Sequence, residues 1–95
     1  MKKSFNQLKK DLQVGVLVKT LTNNCKPEMN GQVRAIGKVQ TNAIAFLRDD
    51  DKLSWLWWGK ASCYEYEDNV FKVYDEPRAY NNYTRNLLFV YEIMR

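Results

Sequence analysis

The sequence predicts a mainly β protein, a small antiparallel barrel of five or six strands preceded by one short N-terminal α-helix. From residue 13 onward, apolar side chains recur at every second position, which is the period of a strand with two different faces. Turn-forming residues separate these runs at intervals of about 8–12 residues, which is typical of small all-β domains. Closure into a barrel would remove the sheet edges that promote aggregation. The alternative architecture is an open antiparallel sheet with the helix on one face.

The helix is predicted over residues 4–12, where the apolar period is 3.6 rather than 2. Ser4 and Gln7 fit the S-x-x-Q capping box, in which both side chains satisfy free backbone N–H groups at the helix start. The apolar stripe of this helix consists of Phe5, Leu8 and Leu12. Because so short a helix is unstable alone, we expect this stripe to pack against the sheet, over Leu56 or Trp58.

The barrel strands are predicted over residues 13–74. Alternation is clear in QVGVLVKTLTNN, in QVRAIGKVQTNAIAFLR and in the later runs LSWLWW, SCYEYE and VFKVY. Two pairs of residues favour tight turns, Asn30-Gly31 and Asp68-Asn69. The second run is expected to bend at Gly37 or at Thr41-Asn42, and a glycine inside a strand indicates a bulge or a tight corner.

The whole chain, residues 1–95, is predicted to be a single domain because its length is close to that of the commonest single-core proteins. Hydrophobic residues make up 45% of it, which is too many for a disordered chain. Residues 75–86 are rich in turn formers and have no period, so we expect them to form an irregular loop. Residues 87–94, LLFVYEIM, are expected to form the closing strand.

All three tryptophans lie within four positions of one predicted strand. Leu53, Trp55 and Trp57 fall on one face of this strand, whereas Trp58 falls on the other face. We expect Trp55 and Trp57 to belong to the core. Trp58 stands beside Gly59, where the strand is expected to end, and loop ends are common positions for binding surfaces. The sequence therefore favours Trp58 as the displayed ring.

Three stretches, LQVGVLVKTL, GQVRAIGKV and NAIAFLRDDDKLSWLWWGKA, resemble the opening of an SH3-like barrel of the Tudor or KOW type. The resemblance covers residues 13–74. Ligands of such barrels meet aromatic side chains near loop ends, which implies binding roles for Trp57, Trp58 and Tyr64. In its length and its Lys, Asn and Tyr content, the whole chain also resembles short proteins encoded by bacteriophages and mobile elements of Gram-positive bacteria.

The residue types that most enzyme chemistry requires are missing from the sequence. The chain has no histidine, the usual general base and the commonest zinc ligand, and no C-x-x-C or phosphate-loop motif. Asp49, Asp50 and Asp51 are interpreted as a solvated turn rather than a metal site. Cys63 is interpreted as a core thiol rather than a nucleophile. We therefore expect no catalytic residue, no cofactor and no metal.

Two further features bear on location. Cys25 and Cys63 are too few for a disulfide framework, and the N-terminal residues lack the apolar core of a signal peptide. These features predict reduced thiols in the cytoplasm. The longest apolar run is far shorter than the roughly 18 residues that a membrane helix needs, so no membrane partner is expected.

The net charge of +4 is unevenly distributed along the chain. Residues 1–48 carry nine basic and two acidic side chains, whereas residues 49–95 carry six basic and nine acidic ones. This asymmetry favours a basic face for an anionic partner. Aromatic rings near cations suit nucleic acid, because bases stack on rings while phosphates pair with cations. The candidate binding residues are Trp57, Trp58, Tyr64, Lys19, Arg34 and Lys38.

These features favour a non-enzymatic binding domain of a phage or mobile element. Such a domain would occupy a surface of a protein or ribonucleoprotein complex that handles nucleic acid, for example as an anti-CRISPR-like inhibitor of host defence. Two alternatives stay open. One is direct nucleic-acid binding by the barrel, and the other is a homodimeric structural module in which Trp58 or the last strand forms the interface.

Overall fold

The computed structural model describes residues 2–75 and 86–95, which form eight strands and one α-helix. The strands are β1 (Lys2–Lys3), β2 (Leu17–Asn23), β3 (Val33–Val39), β4 (Ala43–Leu47), β5 (Leu53–Trp57), β6 (Tyr64–Glu67), β7 (Val70–Tyr74) and β8 (Leu87–Met94). Helix α1 spans Phe5–Asp11, and short 3₁₀ helices span Pro27–Met29 and Ala61–Cys63. The predicted loop over 75–86 falls, except for its two end residues, outside the described part of the chain.

The eight described strands form one antiparallel sheet in the order β1-β6-β7-β8-β2-β3-β4-β5. The mainly β class with one short helix is therefore confirmed. The SH3-like barrel of five or six strands is not confirmed, because β1 and β5 lie at opposite ends of the strand order and do not pair. The structure agrees instead with the alternative of an open sheet that carries the helix on one face. We call that face, which holds the core, the inner face.

Helix α1 begins at the predicted cap and is held by its apolar stripe. The Ser4 hydroxyl accepts a hydrogen bond from the backbone N–H of Gln7 at 3.1 Å, which confirms half of the capping box. The other half does not form, because the Gln7 side chain donates to Asp11 at 2.9 Å. Leu8 and Leu12 are fully buried. Each contributes about 1.5–3 kcal/mol through removal of its surface from water, which is what holds a seven-residue helix in place.

The sheet bends at a β-bulge in β3, where Gly37 interrupts the pairing with β4. A side chain at this position would bring its Cβ to 2.9 Å from Leu53 Cδ2 and 3.5 Å from Leu47 Cβ. The missing side chain therefore lets the leucines of β4 and β5 pack over the bulge. The predicted bulge at Gly37 is confirmed as a shift of register between Ile36 and Lys38. On the inner side, the rings of Phe46 and Tyr91 lie 5.5 Å apart.

Of the two turn signals, Asp68-Asn69 forms a hairpin turn, whereas at Asn30-Gly31 only Gly31 has a positive φ, of 86°. Asp68 and Asn69 have φ angles of 51° and 67° and connect β6 to β7. Positive φ at both central residues is typical of a type I′ hairpin turn, so the predicted hairpin is confirmed. Gly59 has a φ of 63°, which favours glycine, and it turns the chain away directly after Trp58.

A polar cluster joins the helix to the last strand at the β1 end of the sheet. The Tyr66 hydroxyl donates to Asp11 Oδ2 at 2.6 Å, and Arg95 Nη2 donates to the same oxygen at 3.1 Å. The hydrogen bond from Tyr66, followed by those from Gln7 and Arg95, lowers the pKa of Asp11 against the opposing effect of its burial. Burial, followed by the proximity of Asp11, raises the pKa of Tyr66 to about 12. The cluster is therefore stable as a carboxylate held by a neutral phenol and a cation.

Candidate binding site at the free edge of the sheet

Strand β5 is an edge strand whose outer side is unpaired within the described ranges. The Trp58 N–H donates to the Asn42 carbonyl at 2.9 Å, which shows that even-numbered residues point their backbone groups at β4. Because hydrogen-bonding direction alternates along an antiparallel strand, Leu53, Trp55 and Trp57 point their N–H and C=O groups at the free edge. These three residues thus present a row of backbone donors and acceptors.

The side chains of the same odd-numbered residues lie on the outer face of the sheet. Trp55 is 38% exposed and Trp57 is 66% exposed, and their rings stack at a centroid distance of 6.2 Å. Ala45 and Ala43 lie directly opposite them on β4 and are fully buried. Small residues under large rings let the two indoles lie flat against the sheet. The result is an aromatic platform, consisting of Trp55 and Trp57, beside an open strand edge.

The expected exposure of the three tryptophans is wrong. Alternation correctly separates Trp55 and Trp57 from Trp58, but the face that was expected in the core is the outer one. Trp58 is only 4% exposed. The reason is α1, which covers the inner face and places Phe5 edge-on to the Trp58 ring at 5.5 Å. The prediction that the helical stripe packs over Trp58 is confirmed.

Tyr64 supports the end of β5 from the inner side. Its ring lies 5.5 Å from the Trp58 ring and 4.8 Å from the Phe5 ring. Its hydroxyl donates a long hydrogen bond of 3.4 Å to the Trp57 carbonyl. Burial, above all, raises the pKa of Tyr64, so the phenol stays neutral. Tyr64 therefore occupies the last acceptor of the free edge.

The structure does not bring the three predicted cations together. Lys38 lies opposite Ala45, which in turn lies opposite Trp55, so Lys38 shares a row with the platform. Lys19 is on the outer face of β2, directly opposite Glu92. Arg34 pairs with the buried Val18 and therefore lies on the inner face. Of the predicted set, Lys38 and Trp57 lie on the same outer face, with Lys38 in the row of Trp55, and with Trp57 one row further along β5.

Apolar side chains continue from the platform across the outer face. Leu53 and Leu47 are cross-strand partners, 36% and 41% exposed, and Leu17 and Met94 are partners that are 47% and 41% exposed. Exposed apolar patches of this kind mark interaction surfaces. Sequence analysis missed this patch because alternating leucines were assigned to a barrel core. Trp55 was missed as a surface residue for the same reason.

The inner face carries a second candidate feature, a cavity of about 250 Å³ at the far end of β3 and β4. Arg34, Arg48 and Lys26 line it, together with Glu28. Arg48 and Lys26 were not among the predicted site residues. The sequence did contain a signal for the position of Arg34. Arg34 lies two residues before Ile36, a core residue on the same strand, and therefore on the same face of the sheet.

Comparison with models of protein families, with characterised proteins and with solved structures finds no match to this chain. The site is therefore interpreted from its own geometry. Among the described residues, no group of three or more Asp, Glu, Cys or His side chains is placed to hold a metal ion. The one α-helix of this part of the chain is far too short to cross a bilayer. Cys25 and Cys63 are free thiols, and Cys63 is buried as predicted.

Proposed function

We propose that this chain is a non-enzymatic binding domain that recognises an extended segment of another protein by adding it as a strand to β5. One observation carries the proposal: the free edge of β5 and the aromatic platform are formed by the same residues. Strand addition uses main-chain hydrogen bonds for affinity and alternate side chains for specificity. Here the partner's backbone would pair with Leu53, Trp55 and Trp57, while every second partner side chain would contact an indole.

The absence of charged residues from β5 indicates what kind of partner segment it would accept. Residues 53–57 of β5 carry no charge, and their exposed side chains are apolar. A charged partner side chain would therefore find no ion-pair partner on β5 itself and would lose part of its hydration against the indoles. The proposed ligand is therefore an extended segment rich in uncharged, β-forming side chains.

Direct nucleic-acid binding is the second candidate, and the stacked pair of exposed indoles beside Lys38 favours it. Bases stack on such rings, but backbone binding needs several cations along the groove. Lys19, the next predicted cation on this face, lies opposite Glu92. Protein recognition is therefore the better account of this face.

The narrower hypothesis concerns origin and target. A domain of this size and basic charge would suit a phage-encoded or mobile-element inhibitor, anti-CRISPR-like in action, that acts in the cytoplasm by adding a strand to a nucleic-acid-handling complex. An SH3-like ancestry of the sheet would be compatible with this role. Both stay predictions.

The test uses a random 12-residue peptide library displayed on phage, selected against the full chain. We expect selected peptides to bind with micromolar dissociation constants and to slow amide exchange at Leu53, Trp55 and Trp57. Trp55→Lys should weaken them at least tenfold. The matched control is Leu47→Lys, which puts the same charge on the same face at nearly the same exposure, but on a strand paired on both sides.

The outcomes separate the candidates. Peptides that bind equally well to both lysine variants, or a library that yields no binder, would contradict strand addition at β5. Labelled single-stranded oligonucleotides form the second arm, at about 50 and 200 mM salt. Binding that falls steeply between these concentrations and is lost in Lys38→Glu would support nucleic-acid recognition instead.

A further inference from the structure

The inner-face cavity lies on the opposite side of the sheet from the aromatic platform, although Ser54 of β5 is among its lining residues. Val18, Phe46 and Tyr91 form its apolar floor, and three cations stand around it, Lys26, Arg34 and Arg48. Glu28 is the one carboxylate among its lining residues in the described part of the chain. Arg48 also lies 3.3 Å from Asp50, but both side chains of this pair are nearly half exposed, so the pair is weak and easily rearranged.

Arg34 is the fixed element of this cavity. Its Nη2 donates to Gln32 Oε1 at 2.9 Å and approaches Met29 Sδ at 3.7 Å, which anchors one side of the guanidinium. Its Nε is fully buried and has no hydrogen-bond partner among the described residues. A buried donor without a partner is rare in folded proteins, and each instance calls for an explanation. Here the donor belongs to a charged group in a cavity with an excess of positive charge.

Tyr91, a buried residue, lies with Arg34 in the lining of this cavity. Burial raises its pKa to about 12, and the nearby Arg34 acts in the opposite direction. The cavity thus combines a guanidinium held on one side, a buried donor that has no partner within the described ranges and two further cations in its lining. Guanidinium groups in this setting bind oxyanions through charge-assisted hydrogen bonds.

We propose that this cavity binds an oxyanion, of the carboxylate or phosphate type, through the Nε–H of Arg34, with Arg48 and Lys26 supplying further charge. The ligand's oxygen accepts the hydrogen bond that the protein leaves open. Arg48 would exchange its exposed contact with Asp50 for the bound anion. This inference does not depend on the β5 proposal, because the donor lies on the inner face and on another strand.

The experiment follows the side-chain Nε–H signals of arginine by nitrogen-15 NMR. Inorganic phosphate and acetate are titrated separately into the full chain, at constant ionic strength maintained with chloride. We expect a saturable shift of the Arg34 signal with at least one of them, while the Arg95 signal, which is bonded to Asn69, stays unchanged. Tighter saturation by phosphate or by acetate identifies which oxyanion the cavity prefers.

Two variants provide the controls. Arg48→Gln should weaken the anion several-fold without removing the Arg34 signal. Arg34→Lys should abolish the rise in melting temperature that the anion gives to the unmodified chain, since only a ligand bound to the folded state stabilises it. Absence of a saturable shift, or an equal rise in melting temperature in Arg34→Lys, would mean an adventitious ion only and would overturn the proposal.

Discussion

The two edge strands of the sheet differ in length and in charge, two properties that govern whether a further strand can pair with them. β1 has two residues, both lysines, and Lys3 places its ammonium group 5.3 Å from the centre of the Tyr66 ring. β5 has five residues without a charge, and two of its side chains are exposed tryptophans. Short length and lysine are the devices by which proteins protect sheet edges. One edge is thus protected and the other is open.

The two ends of the sheet therefore differ in what they contribute to the fold. The β1 end carries α1, with Leu8 and Leu12 buried beneath it, and the cluster around Asp11. The β5 end carries the aromatic platform, in which the ring of Trp57 is 66% exposed. We infer that stability resides mainly at the β1 end, and that the β5 end is free to serve recognition. The variants described below test whether the two ends of the sheet differ in this way.

The largest expected effect is on Leu8. Leu8→Ala removes a fully buried side chain and leaves a cavity between α1 and the sheet, so the free energy of unfolding should fall by about 2–5 kcal/mol. Trp57→Ala, at the other end, should change it by no more than about 0.5 kcal/mol, because the ring is 66% exposed. Urea unfolding followed by circular dichroism measures both. Equal losses would show that the platform is structural.

An intermediate effect is expected for Asp11. Asp11→Ala breaks its hydrogen bonds to Tyr66 and Arg95 and should cost about 1–2 kcal/mol. Asp50→Ala, which removes an exposed ion pair with Arg48, should cost less than about 0.5 kcal/mol. Thermal unfolding at pH 7 of the two variants and the unmodified chain compares the two carboxylates directly.

The same carboxylate predicts a pH dependence. Because the folded pKa of Asp11 is lowered, its stabilising effect is present above the unfolded value of about 3.9. It is lost as the pH falls through the lowered folded value, since the unfolded chain takes up the proton first. Melting temperatures between pH 2 and pH 6 should therefore fall less steeply in Asp11→Ala than in the unmodified chain. Parallel curves would contradict this role for Asp11.

The smallest expected effect is at the protected edge. Lys2→Thr combined with Lys3→Thr removes both charges from β1 and should leave the unfolding free energy within about 0.5 kcal/mol of its original value. Self-association, measured by sedimentation velocity at high protein concentration, should rise slightly because an uncharged edge pairs more readily. No change, even at the highest concentration, would mean that length alone protects β1.

The sequence predicted local features better than it predicted which face of a strand is buried. The helix cap at Ser4 and the Asp68-Asn69 turn depend on neighbours in the chain, and both form. Alternation also sorted Trp55 and Trp57 from Trp58. Which face is inner depends on register with β4, where Ala43 and Ala45 lie opposite the two exposed rings and the larger Ile44 lies opposite Leu56. The alternation of β5 alone does not specify which of its two faces the helix covers, because that depends on residues far away in the chain.

The candidate site shows the same limit. Lys38 and Trp57 share a surface because β3, β4 and β5 are adjacent, whereas Arg34 points to the other side of the same sheet. The sequence supplied the residue types but could not group them. Closure of the barrel failed as a prediction because it assumed that both ends of the strand order would pair. The lysines of β1 were the available signal against this.

The two lysines of β1 also limit how many strands from other chains can join the sheet. A strand that joins β5 uses the one open border of the sheet among the described strands, and the opposite border repels further strands through its positive charge. If the joining strand comes from another protein, the complex is one-to-one. If it comes from a second copy, both outer borders of the combined sheet are lysine strands. Through its own borders this chain therefore accepts one further strand, so the fold permits pairs and discourages fibres.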